Sequence, residues 1–181
     1  MIASTTRWNV DNAVEEIGNA LYPEDSNVRI EIDSLYPLIY VFSGKLDPWT
    51  AFKIIVREPP AYVERLVPVE AIVSERVDCR SPHNVCCTDT IRAIGLLAAA
   101  KGVGDDVNVE VKPRRYFVGC DDRTAVRLFS RALEEVLKLR IRRKAKYTVK
   151  VEDTLHGIVV ALLRSGWDRL RFWRERRLLS K

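Results

Sequence analysis

The chain has 181 residues, 47% apolar and 30% charged, with a net charge of +5, and no window approaches 18 uncharged apolar residues. That is enough apolar surface for one large core or two small ones, and it excludes a bilayer-spanning helix. The net charge hides an asymmetry: residues 1–137 carry 16 Lys and Arg against 21 Asp and Glu, whereas residues 138–181 carry 14 against 4. Asn9 or Asp11 caps a first helix in which Val10, Val14, Ile17 and Leu21 share a face, and Pro23 ends it. Residues 28–32 alternate as a strand, Asp33 and Ser34 turn the chain, and residues 37–42 read as the neighbouring strand. Asp47 caps a second helix with Pro48 at its first position and Trp49, Phe52, Ile55 and Val56 on its apolar face, stopped by Pro59 and Pro60. Residues 62–73 read as a third strand, bent at Pro68, which completes a small sheet with helices on one side.

Residues 81–101 are expected to form one long helix, since Val85, Thr88, Ile91, Arg92, Gly95, Leu96 and Ala99 recur near helical spacing and Gly102 terminates it. Residues 107–111 alternate as a strand with Lys112, Arg114 and Arg115 at its exit. Asp121 or Asp122 then caps a helix to about Lys138, with Val126, Phe129, Leu133, Val136 and Leu137 facing inward. Next comes the densest charge in the chain: Lys138, Arg140, Arg142, Arg143, Lys144 and Lys146, without an acidic residue among them. Residues 147–151 alternate as a strand with one face buried, residues 152–157 form a polar kink, and the apolar run 158–163 reads as a covered strand. A strand, crossover helix and returning strand imply parallel pairing of 107–111 with the strand at Tyr147. The cluster at Lys112, Arg114 and Arg115 and the cluster at 142–146 then lie at opposite ends of the sheet.

A cationic segment on an otherwise acidic chain favours a polyanion, of which RNA is the commonest class in cytoplasm. The helix start near Asp121 adds free N–H groups and Arg123, although Asp121 and Asp122 compete for them. Cys79, Cys86, Cys87 and Cys120, with His83 nearby, lack the paired short loops of a zinc module, which leaves buried thiols or a disulfide. His156 reads as a turn residue. No nucleotide-cradling, nucleophile-elbow or zinc-hydrolase motif is present, so no catalytic residue, metal or cofactor is assigned. In the tail, Trp167, Leu170, Trp173 and Leu178 fall near one side of a helix that should dock on its own domain or on a second copy. The start of the chain has no signal-peptide pattern, giving an expectation of the cytoplasm without membrane attachment. The absence of Gln and the single Met match chains from hot habitats.

The run 62–70, the long helix, the strand ending in Lys112-Pro113-Arg114-Arg115-Tyr116, the next helix, residues 146–153 and then Gly157-Ile158-Val159-Val160 together resemble a THUMP domain. The resemblance covers residues 25–164, and Cys120, Asp121 and Asp122 stand where the family usually has small polar residues. It implies an α/β chain in three parts: a ferredoxin-like α+β unit (1–70), a THUMP-like RNA-binding domain with a mostly parallel sheet (71–164) and a basic C-terminal helix (165–181). The module delivers tRNA to modification chemistry. A chain ending here is similar to the stand-alone adaptor of tRNA cytidine acetylation, implying a non-catalytic specificity subunit whose partners are tRNA and an RNA-modifying enzyme such as a cytidine acetyltransferase. Phosphate contact is expected from Lys112, Arg114, Arg115, Arg123, Arg142, Arg143, Lys144 and Lys146. The alternatives are a protein-interaction or dimerisation module using the basic tail, and a metal-dependent RNA nuclease.

Overall fold

The computed structural model describes residues 1–80 and 87–179. They divide into one compact unit of Met1–Val69 with Gly166–Lys181 and a second of Glu70–Ser165.

The first unit runs β1 (Ile2–Ser4), α1 (Val10–Leu21), β2 (Arg29–Ile32), β3 (Leu38–Phe42), α2 (Pro48–Arg57) and β4 (Arg65–Val67). Its four-stranded sheet has the order β2-β3-β1-β4, with every pairing antiparallel, which is the ferredoxin-like arrangement. Asp47 starts α2 as expected: its carboxylate accepts the amides of Trp49 (3.0 Å) and Thr50 (3.1 Å), a cap worth about 1 kcal/mol. Ala13, Ile17 and Leu21 of α1 and Ala51, Phe52 and Ile55 of α2 pack on Ala3, Ile39, Val41 and Leu66 of the sheet.

The second unit runs β5 (Ala71–Val73), β6 (Val77–Asp78), α3 (Thr88–Ala100), β7 (Asp106–Lys112), β8 (Phe117–Val118), α4 (Asp122–Leu137), β9 (Arg140–Ile141), β10 (Tyr147–Thr154) and β11 (Gly157–Arg164). Five strands form one mixed sheet, β5-β11-β10-β7-β9; β10–β7 and β7–β9 are parallel and the other two pairings antiparallel. Valines 107, 109 and 111, Val149, Val151, Ile158, Val160 and Leu162 share one face and meet α3 and α4. β6 and β8 form a separate parallel pair. Gly157 has to be glycine, because its φ is +119° and an added Cβ would lie 2.8 Å from the Val73 carbonyl oxygen. The last helix, α5 (Leu170–Leu179), belongs with the first unit.

Several expectations are corrected. The single bent strand at 62–73 is two strands, β4 and β5, in different sheets. The long helix is described only from Thr88; its expected beginning, including Val85, lies outside the described residues. Its buried positions are Thr90, Ile91, Ile94 and Ala98, while Leu96 is 66% exposed, because Gly95 faces Leu137 of α4 and turns its neighbour outward. In α4, Ala125, Phe129 and Leu133 are buried, and Val136, expected inside, is 64% exposed. The polar kink shrinks to a two-residue turn at Leu155 and His156, so Lys150, Glu152 and Asp153 are buried strand residues. Of the cysteine alternatives, Cys79 and Cys120 form a disulfide. Cys87 is buried at the start of α3, and His83 and Cys86 lie outside the described residues. Among the described residues no cluster of His, Cys, Asp or Glu could hold a metal.

Candidate nucleic-acid interface

Parallel register puts the two cationic groups at opposite ends of one sheet. Val107 pairs with Tyr147 at the end where β10 begins, and Lys112 pairs with Glu152 at the end where β7 finishes. Five residue steps separate these rungs, roughly 17 Å.

At the β7 exit much of the charge is consumed internally. The Lys112 ammonium pairs with Asp122 at 2.7 Å. Arg114 donates its backbone amide to Asp153 Oδ2 at 2.8 Å and its guanidinium to the Asp153 carbonyl at 3.1 Å, and lies 3.6 Å from Glu152 Oε2. Its side chain is only 14% exposed. The same Asp153 oxygen accepts the amides of Tyr116 (2.6 Å) and Phe117 (3.2 Å), so a fully buried carboxylate fixes the loop that carries Arg115. Asp121 caps α4 by accepting the Thr124 amide at 2.6 Å, and that bond, ahead of the Thr124 hydroxyl, holds its carboxyl below the usual range. The helix start is therefore filled by its own carboxylate. Arg123 is exposed beside it, and Arg115 lines an open cleft of about 560 Å³ with Ser74, Glu75, Arg76 and Tyr116.

The other end is more open. Arg140 pairs with Asp106 at 2.9 Å and with Asp105 at 3.6 Å, and Arg142 lies 3.5 Å from Asp106. Arg143, Lys144 and Lys146 are exposed, and none makes an ion pair among the described residues. The loop carrying them is held by backbone: Ala145 N–H donates to the Arg142 carbonyl, Ser165 N–H to the Lys146 carbonyl, and the Ser165 hydroxyl to the Ala145 carbonyl at 2.6 Å. Buried Ala145 anchors the loop while the long side chains on either side face water. Lys146 also lies 5.4 Å from the Tyr147 ring centre.

The expected residues thus fall into three groups: Lys112, Arg114 and Arg142 are paired with carboxylates, Arg115 walls a cleft, and Arg123, Arg143, Lys144 and Lys146 are exposed. Sequence reasoning missed Arg76, which lies just before β6 and lines the same cleft as Arg115 and its chain neighbour Tyr116. No local signal connects positions 76 and 115. In α5, Leu170 is fully buried and Trp173 packs on Phe52 at 5.9 Å between ring centres. Arg174 donates to the carbonyls of Pro60, Ala61 and Val63. Among the described residues no helix is long and apolar enough to cross a membrane.

No family model and no curated protein matches the chain. Solved structures do. PH1313 from Pyrococcus horikoshii Ot3 matches at a TM-score of 0.59 and 14% identity, over 91% of this chain and 55% of that one. TrmN from Thermus thermophilus matches at 0.56 and 15%, over 93% and 46%. A 4-thiouridine synthetase solved as an RNA complex with bound ATP matches at 0.51 and 10%, over 90% and 40%. The chain spans about half the length of these neighbours or less. At such identities the likeness is one of fold, and that fold is a ferredoxin-like unit with a THUMP-like α/β domain.

Proposed function

We propose that this chain binds structured RNA, tRNA above all, and acts in the cytoplasm as a non-catalytic specificity subunit for an RNA-modifying enzyme, such as a cytidine acetyltransferase. The observation that carries the reading is the exposed group Arg143, Lys144 and Lys146, without ion pairs among the described residues, on a rigid strand-entry loop. Three cations held by a backbone pinned at Ala145 and Ser165 meet phosphates at little ordering cost. A similar fold has been solved with RNA in a 4-thiouridine synthetase, which supports RNA as the polyanion. The non-catalytic role rests on the lack of catalytic motifs in the sequence.

Salt titration of tRNA binding tests the reading. Four to six phosphate contacts predict a slope of about −3 to −5 in log K against log salt. Affinity that stays level from low to physiological salt would remove it. Incubation of the chain with tRNA, with and without divalent metal or acetyl donor, should leave nucleoside composition and RNA length unchanged; turnover would transfer the case to an enzyme.

A further inference from the structure

We infer that the Cys79–Cys120 disulfide is a redox-controlled pin that sets the width of the Arg76–Arg115 cleft, so that reduction weakens the grip on RNA. This rests on the RNA-binding reading above. The cleft has Ser74, Glu75 and Arg76 on one wall and Arg115 and Tyr116 on the other. Two arginines and a tyrosine lining one cleft suit one nucleotide unit, with its phosphate on the arginines and its base against the ring. Glu75 is turned away from that task, since its carboxylate accepts the amide of Thr90 at 3.0 Å and the Thr90 hydroxyl.

The two walls lead straight into the smallest sheet of the molecule. Arg76 is followed by β6 and Tyr116 by β8, and these strands share only two rungs, Val77 with Phe117 and Asp78 with Val118. A two-stranded pair this short holds poorly on its own. The disulfide closes it immediately downstream, joining residues 41 apart in sequence with their Cα atoms 5.3 Å apart. The Arg115 wall has a separate anchor in Asp153, which binds three of its amides. The Arg76 wall has Val77 in the core, the Glu75–Thr90 contact and the disulfide. The covalent bond therefore holds one wall at a fixed distance from the other. The region is packed around it: Gly119 has φ +64°, and an added Cβ would lie 2.6 Å from Cγ of Arg80.

Both cysteines are half-buried, so a soluble dithiol reaches them. One thiolate of the dithiol attacks a sulfur of the bond and forms a mixed disulfide, and its second thiol displaces the protein. Two electrons and two protons pass to Cys79 and Cys120, which become thiols, and the dithiol leaves as its own disulfide. Arg76 is then held by two rungs and the Glu75 contact, and the phosphate seat shared by the two arginines widens.

The test measures binding of the full chain to bulk tRNA when oxidised, when reduced with dithiothreitol, and after reoxidation, with thiols counted by mass spectrometry. Reduction should raise Kd about tenfold and make the salt slope shallower by about 1 to 2, the loss of one or two phosphate contacts. Reoxidation should reverse both effects, and Cys79→Ser with Cys120→Ser should mimic the reduced form. In Arg76→Ala with Arg115→Ala, binding should already be weak and reduction should add nothing. Equal affinity of the oxidised and reduced forms overturns the proposal, as does a full redox response in the arginine variant. Loss of the far-UV signal together with all binding would make the bond a structural staple and overturn it too. If neither form binds tRNA, the RNA-binding reading falls along with this one.

Discussion

In the loop between β9 and β10, Arg143, Lys144 and Lys146 stand in water without ion pairs among the described residues, whereas on α5 Arg171, Arg174, Arg176 and Arg177 each have a partner on the protein, even where they are exposed. Arg174 donates to three backbone carbonyls, Arg177 pairs with Glu58 at 3.1 Å, Arg171 with Glu175 at 2.7 Å, and Arg176 lies over the Phe172 ring. Sequence weighs both stretches alike as cationic. The fold separates them by what each charge has nearby. A helix that adds to the edge of a small sheet has strand-end carbonyls to satisfy, and arginine is the side chain with enough donors to do so. A loop between two parallel strands satisfies itself through its backbone and leaves its side chains over for a ligand.

The largest effect that would break this contrast lies in α5. Trp173 touches Phe52, Trp167 and Phe172, and its indole N–H donates to the Trp167 carbonyl at 2.8 Å. Trp173 is half-buried against the core, so Trp173→Ala should lower stability by about 2 to 4 kcal/mol, below the range for a fully buried aromatic. All four tryptophans, at positions 8, 49, 167 and 173, lie in the first unit, so the fluorescence of the remaining three reports that unit during urea unfolding. Under conditions where the variant stays folded, its tRNA affinity should be within about twofold of the parent. A loss below about 1 kcal/mol would mean the helix is not docked, and its arginines would return as candidates for the ligand.

On the other side of the comparison, Arg143→Ala with Lys144→Ala should weaken tRNA binding by about 1 to 3 kcal/mol. The salt slope should become shallower by about 2, and stability should change by less than about 0.5 kcal/mol. Arg174→Ala is the matched control: it strips three carbonyls of a donor and should act on stability, not on affinity. The reverse ranking of these two variants would place the RNA on the C-terminal helix.

Legibility in the sequence followed how local each cause is. The cap at Asp47 with Pro48, the cap at Asp121 and the alternation in 107–111 were readable because the residues that cause them are neighbours in the chain, whereas 147–151, expected to bury one face, is buried on both from Thr148 to Val151. β1 was not, since Ile2, Ala3 and Ser4 are too few to show a period, although their partners β3 and β4 make them a central strand. β6, β8 and β9, at two residues each, escaped for the same reason. At the candidate site the positions of the basic residues were legible but their availability was not. Arg114 looked as available as Arg123, because the buried Asp153 that engages it is 39 residues away. The buried Lys150, paired with Glu110 of β7, broke the apolar pattern without any local sign of its partner.

The smaller of the two stability effects sharpens the comparison on the side of the unit that receives α5. The amino group of Met1 donates to the Val41 carbonyl at 2.9 Å, inside the first sheet, and burial lowers its pKa from 8.0 to about 6. Between these values the unfolded chain takes up a proton that the folded chain refuses. The contribution is therefore complete above about pH 8, is lost progressively as pH falls towards 6, and has levelled off below that. The expected drop is on the order of 2 to 3 kcal/mol for a shift of about two pKa units, read by tryptophan fluorescence in urea at a series of pH values. Asp25 and Asp47, held below the usual carboxylate range by hydroxyl bonds from Ser43 and Thr50, act in a separate window, since their contribution is lost only as pH falls below about 4. The two causes are therefore separable in one titration. Acetylation of the Met1 amine removes the charge while keeping an N–H for Val41, so it should abolish the step between pH 8 and 6 and leave the acid limb in place. A step that survives acetylation would have to come from another group in the first unit, and the amine would then not be held neutral in the sheet.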